Sequence, residues 1–197
     1  MNRPQPQTEP QTEDAGQRQH AAADPQQSVW VAASARTGKT KVLVDRVLRL
    51  MLPRPGMPPD SATPPGKILC LTFTKTAAAE MSNRIYTDLS SWSVKSAVAL
   101  KDELRRLTGT EPSVEIESAA RRLFARVLET PGGLKIMTLH SFCQSVLKRF
   151  PVEAGLPPHF QLMDEQSAKE YLRACLHKIT AEARQNTESA VSRAFNH

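Results

Sequence analysis

No stretch of this chain approaches the ~20 consecutive apolar residues that a bilayer-spanning helix needs, and its opening MNRPQPQTEP lacks the apolar centre of a secretory signal. A membrane protein is therefore not expected. Cysteine is also scarce: Cys70, Cys143 and Cys175 form no CxxC pair and cannot all be matched with one another. That argues against a disulfide framework or a zinc site and for a reducing cytoplasm. Negative charge falls short as well, with 20 Asp and Glu against 26 Lys and Arg, a net +6. Residues 1–27 hold two arginines against four carboxylates, a net −2, which leaves +8 for the remainder. The basic character belongs to the part that folds, and it favours a polyanionic partner such as nucleic acid.

What is present reads as one domain with a tail. Residues 1–18 are rich in Gln, Pro, Thr and Glu without apolar periodicity, the composition of a disordered leader. Ser28–Ala33 (SVWVAA) has the β-branched and aromatic content of a buried strand. A helix should follow, with Val42, Leu43, Val47, Leu48, Met51 and Leu52 on its apolar side, ending at Pro53. The proline-rich 53–66 predicts an exposed loop, Lys67–Phe73 (KILCLTF) a second buried strand, and Thr76–Leu89 another helix. The polar stretch to Glu129 is mainly helical, with an amphipathic segment in VKSAVALKDELRRL. After the break at Pro131-Gly132-Gly133, Lys135–Leu139 predicts a third strand and HSFCQSVLKRF a helix. FQLMD is a candidate fourth strand, and Glu165–Arg184 a last helix. Alternating strands and helices imply an α/β fold with parallel strands, crossover helices and ligands at the carboxyl ends of the strands.

Three segments at predicted strand ends carry chemistry. Ala33-Ser34-Ala35-Arg36-Thr37-Gly38-Lys39-Thr40 lies between strand and helix, the context of a phosphate-binding loop. Amides at the helix start would cradle phosphate oxygens, Lys39 would reach the β and γ phosphates, and Thr40 would hold Mg²⁺. In the second segment, Thr72 and Thr74 offer hydroxyls, Lys75 a charge and Phe73 a stacking face for a nucleic-acid strand, although residue type alone favours Phe73 as a core residue. The third is Thr138-Leu139-His140-Ser141-Phe142-Cys143, in which Thr138, His140 and Ser141 suit phosphate contacts that read no sequence. His140 and Cys143 share a helix face but have no orienting third group, which argues against a thiol nucleophile.

Taken in order, these segments resemble the UvrD/Rep-type superfamily 1 DNA helicases. TFTKTAAAEM resembles that group's TFT-x-x-AA-x-EM motif and TLHSF its T-x-H-S/A-F motif. FPVEAGLPPHFQLMDE makes the AddA-type double-strand-break repair helicases a better match than UvrD itself. Ala33 replaces the first glycine of G-x-x-x-x-G-K-S/T, as the group tolerates; Arg36 departs from it, standing where glycine is usual. A side chain there either obstructs the nucleotide, points outward or adds positive charge. Gln19 occupies the position of the group's adenine-recognising glutamine, whose amide can both donate and accept.

The resemblance implies a P-loop, RecA-like sheet, ATP and Mg²⁺ as cofactors, single-stranded DNA as partner, and a nuclease/helicase partner subunit of an AddAB-like complex. It implies the first motor domain at residues 19–165 and the start of a helical accessory subdomain at 166–197. The strand ending in Asp-Glu that positions Mg²⁺ and water is missing, since Asp164-Glu165 falls in the AddA-like segment, and so is a second motor domain. The expected function is thus the front part of an ATP-dependent helicase, not an active motor alone. The alternatives are a catalytically degenerate single-stranded-DNA-binding module and an unrelated P-loop nucleotide-binding protein.

Overall fold

A computed structural model describes residues 11–32, 38–54 and 56–185. The chain is mixed α/β and divides into two compact units, Met1–Gln144 and Ser145–His197. Helices α1 (Gln11–Ala22) and α2 (Lys39–Met51) come first, then two short 3₁₀ turns at Pro59–Ser61 and Pro65–Lys67. Strand β1 (Leu69–Thr72), helices α3 (Lys75–Val94), α4 (Ala97–Thr108) and α5 (Val114–Glu129), strand β2 (Lys135–Thr138) and helices α6 (Leu139–Arg149) and α7 (Glu165–Gln185) complete the order. No helix among the described residues is long and apolar enough to cross a membrane.

Helices α3, α4 and α5 each start where a hydroxyl can take up an orphan amide. Thr74 accepts from the Ala77 amide at 3.1 Å to open α3, Ser96 from Ala99 at 3.3 Å to open α4, and Ser113 from Ile116 at 3.5 Å to open α5. Helix α4 stops at Gly109, whose φ of 77° a side chain would strain. Apolar residues at helical spacing then bring four helices together: Val44, Val47, Leu48 and Met51 from α2, Met81, Ile85, Leu89 and Trp92 from α3, Leu100, Leu104 and Leu107 from α4, and Ile116, Ala120, Leu123 and Val127 from α5. Trp92 is buried, and its Nε1 donates to Glu103 Oε1 at 2.8 Å, while Lys95 pairs with the other oxygen of that carboxylate. The indole N–H is thereby satisfied inside the core.

The sheet of the described residues is one parallel pair, β1 beside β2, with Thr72 opposite Thr138 at the carboxyl ends. Alternate residues of β1 face opposite ways: Cys70 is half-buried, and burial pushes its thiol pKa up, whereas Leu69 and Leu71 are exposed.

Several expectations need correction. Residues 28–32 pair with neither strand; Trp30 is 93% exposed, with Val29 and Val31 open beside it. An apolar run becomes a strand only against a neighbour's backbone, and none among the described residues supplies one. The FQLMD segment is likewise no strand but an exposed approach to α7. Strand β1 is shorter than Lys67–Phe73 because Lys67 belongs to a 3₁₀ turn and Phe73 lies in a bend; Leu139 belongs to α6 rather than to β2. The apolar side of α2 centres on Val44, with Leu43 exposed. The 53–66 loop is not wholly exposed, since Pro53, Ala62 and Pro65 are buried. Finally, α1 takes in residues 11–18 of the expected disordered leader, whose residues 1–10 lie outside the described ones.

The order at the end of α1 has a tertiary origin. A helix leaves its last four carbonyls without intrahelical donors. Here the Ala23 amide takes Gln19 O at 3.0 Å and the Asp24 amide takes Ala21 O at 3.1 Å. Arg49 of α2 donates to His20 O at 3.0 Å and Arg46 to Ala22 O at 3.4 Å, so two cations also complement the negative end of the helix dipole.

In the second unit, Asp164 caps α7. Its carboxylate accepts from the Gln166 amide at 3.0 Å, the Ser167 amide at 2.9 Å and the Ser167 hydroxyl at 2.5 Å. The Ser167 hydroxyl and these amides hold its pKa below the ordinary carboxylate value. Helix α7 itself exposes Tyr171, Leu172 and Leu176.

Candidate functional site

Two of the three motif segments end up side by side. Because β1 and β2 are parallel and in register at Thr72 and Thr138, both chains leave the sheet at the same edge, and both turn at once into helices. Thr72 donates its hydroxyl to Thr74 O at 3.0 Å, and Thr74 caps α3, so the turn is shaped by the threonines themselves. That leaves Phe73 87% exposed and Lys75 open to solvent at the first helical position. At the neighbouring tip Thr138 is buried; its Oγ1 lies 2.9 Å from Ser141 Oγ and accepts from the Ser141 amide at 3.2 Å. His140 is exposed beside it. The edge thus presents a ring face, an ammonium, an imidazole and two helix N-termini. Phe73 is not a core residue.

The third segment is described from Gly38 onward; Ala33, Ser34, Ala35, Arg36 and Thr37 lie outside the described residues. Gly38 precedes α2 with φ 88° and ψ 11°, the left-handed region that glycine adopts without a Cβ clash. The start of α2 has no side-chain cap and no carboxylate in its first turn. Its amide-rich, dipole-positive end is therefore compatible with an anion. Lys39 is exposed there and Thr40 partly so, with Lys41 paired to Asp45 at 2.5 Å along the helix surface.

Gln19 comes to the same place. A Cβ built on Gly38 would stand 2.9 Å from Gln19 Nε2, so the amide lies against the glycine. The next residue, His20, meets Gly109 in the same manner: a Cβ there would stand 2.7 Å from the His20 ring, whose pKa is lowered by burial first and by Arg49 second. His20 hydrogen-bonds the backbone of Thr108. Sequence reasoning missed His20, Arg46 and Arg49. The available signal was two arginines three residues apart, within the segment whose apolar residues recur at helical spacing.

Away from these segments, a cleft of about 650 Å³ between α2, α3 and α4 is lined by Lys41, Asp45, Arg84, Asp88, Glu103 and Arg106 over the Trp92 ring. Asp88 has its pKa raised, by burial first and then by the charges of Glu103 and Asp45.

The sequence profile of the UvrD/REP helicase N-terminal domain matches residues 14–196. The chain belongs to that family. This helicase domain is 37% identical to the A subunit of the ATP-dependent helicase/nuclease of Bacillus pumilus over 139 residues, 71% of the chain and 9% of that protein. It is 33% identical to the protein of the same name from Lactobacillus gasseri over 153 residues, 78% of the chain and 10% of that protein. With the Lactobacillus acidophilus protein it shares 32% identity over 176 residues, 89% of the chain and 12% of that protein. The chain spans about a tenth of the length of the curated relatives it matches.

Proposed function

We propose that this chain is the part of an ATP-dependent, AddA-like DNA helicase that receives ATP phosphates and single-stranded DNA. One observation supports the reading more than any other: Thr72–Lys75 and Thr138–Ser141 emerge at one edge of a parallel sheet, in register. In that arrangement Phe73 offers its exposed face to an unstacked base, while Lys75, His140 and the Thr74 and Ser141 turns face phosphate without reading sequence. Gln19 and residues 33–40 would form the nucleotide side. The residues present fit the group: an uncapped, carboxylate-free helix start with Lys39 at its rim suits a triphosphate, and the Thr40 hydroxyl suits Mg²⁺. When bound, ATP with its metal supplies the phosphoryl group whose transfer drives a motor.

In this reading residues 19–165 contribute the opening part of a RecA-like motor domain, and 166–197 begin an accessory helical segment. The acidic pair Asp164-Glu165 does not serve as the metal and water motif, because Asp164 caps α7 and Glu165 pairs with Lys169 at 2.8 Å. In this reading the chain alone binds without unwinding, and unwinding belongs to a larger assembly with a nuclease/helicase partner subunit, as in an AddAB-like complex.

Fluorescence anisotropy with labelled oligo(dT), with and without Mg-ATP, tests this directly. We expect salt-dependent binding that changes on adding nucleotide, and nucleotide binding that Lys39→Ala abolishes. DNA binding indifferent to nucleotide would point instead to a catalytically degenerate binding module, and nucleotide binding without any DNA affinity to an unrelated P-loop protein. Equal, absent nucleotide binding by the wild type and by Arg36→Gly would reject the phosphate role of residues 33–40.

A further inference from the structure

The arginines that close α1 do more than satisfy stray carbonyls. Arg46 reaches Asp24 O at 2.5 Å and Gln27 O at 2.6 Å in addition to Ala22 O, so one guanidinium gathers three carbonyls from the 22–27 segment. A planar fork of five donors in fixed geometry can do this; a single ammonium on a flexible stem cannot hold the same three directions. Arg49, one turn on, takes His20 O. The residue next to His20 in the chain is Gln19, whose amide lies against Gly38. Lys39 and Arg46 are seven residues apart on α2, two turns and about 10 Å along one face. One rigid helix therefore carries the phosphate-facing end and, two turns away, the clamp on the segment that bears Gln19.

We infer that Arg46, seconded by Arg49, is a positioning residue for nucleobase recognition: it sets where Gln19 stands relative to Gly38, and so couples base preference to the helix that faces phosphate. This rests on the nucleotide-binding reading above. The geometry separates the two roles. The α2 start depends on Gly38, Lys39 and the dipole, two turns away from Arg46, whereas the seat of the Gln19 amide depends on a segment held by four guanidinium bonds to backbone oxygens. His20 wedged against Gly109 holds the same segment from the α4 side, which leaves Gln19 few ways to move once the arginines are in place.

Calorimetric titration of the full chain with Mg-ATP, Mg-GTP and Mg-tripolyphosphate separates base from phosphate. The wild type should prefer ATP to GTP by about tenfold, the value of roughly one well-made amide–base hydrogen-bond pair. Arg46→Gln should bring that ratio close to one while tripolyphosphate affinity stays within about twofold, and Arg49→Gln, which removes one carbonyl contact, should fall between. A preference unchanged in Arg46→Gln overturns the inference. So does a wild type that binds all three probes through Lys39 without distinguishing ATP from GTP, which leaves the phosphate site standing. If Arg46→Gln loses tripolyphosphate as well, Arg49→Gln decides: a reduced preference with intact tripolyphosphate binding supports positioning, and a parallel loss of both overturns it. Should the wild type bind none of the probes, or bind them equally well with Lys39→Ala, the phosphate-site reading itself falls, and this inference with it.

Discussion

Trp92 and Phe73 are both large aromatics on or beside α3, yet one is 1% exposed and the other 87%. Around Trp92 every polar demand is met from within: its N–H finds Glu103, and the second oxygen of that carboxylate finds Lys95. At the strand tips the polar groups bond only within their own turns, Thr72 to Thr74 and Thr138 to Ser141, while the ring of Phe73 and the cation of Lys75 face outward. An interior that meets its own polar needs, beside an edge whose ring and cation lie open to solvent, is the contrast between the scaffold and the site proposed above. Substitutions should divide along the same line.

The largest effect belongs to the scaffold. Leu104→Ala, at a fully buried position among four helices, should cost about 3 kcal/mol in urea-midpoint measurements, whereas Phe73→Ala should change stability by less than about 0.5 kcal/mol. Equal losses would erase the distinction. Next comes the reversed readout: Phe73→Ala should weaken oligo(dT) binding by about 1–3 kcal/mol in anisotropy titrations, and retained affinity would remove the stacking role. Smaller again, Glu103→Ala strands the buried indole N–H and frees Lys95; a loss of about 1–2 kcal/mol is expected, against little change for the exposed Glu80→Ala.

The smallest effects concern protons, and they run in opposite directions. The folded pKa of His20 lies below the ordinary 6.5, so the unfolded chain takes up a proton first and stability falls as pH drops through 6.5. Comparing pH 7.5 with pH 5.5 should show a smaller drop for His20→Gln than for the wild type. The folded pKa of Asp88 lies above 3.8, so the folded chain holds its proton longer, and this contribution is lost as pH rises from 3.8 through the folded value. Asp88→Asn should therefore raise the melting midpoint at pH 7 and lose that advantage in acid; a midpoint lowered at pH 7 would mean that Asp88 is held by a favourable charge instead.

Much of the edge was legible in the residues. TFT and TLHS each signal a strand giving way to a capped helix, and both transitions occur within one or two residues of the expected place, because the capping hydroxyls are local. The stripe Leu100, Leu104 and Leu107 was legible for the same reason. Features that depend on distant groups were not. The composition of α1 says tail, and only carbonyl contacts from Arg46 and Arg49 explain its ordered end. Residues 28–32 have the composition of a buried strand, but a strand is a relation between two backbones, and no partner for them exists among the described residues. The exposure of Phe73 runs against its residue type, which favours the core, and is decided by the bend that follows β1. For residues 33–37, including Arg36, the phosphate-loop reading rests on sequence and on the Gly38–Thr40 end of the segment.

The pairing of β1 with β2 joins segments separated in the chain by three helices. Helical turns close quickly over short spans, but a ladder whose halves are so remote must await closure of the long loop between them. During synthesis, Thr72 and Phe73 leave the ribosome well before Thr138 and His140, so the edge with both tips is among the last features the unit acquires, and a chain interrupted between α5 and β2 would hold its helical interior without it.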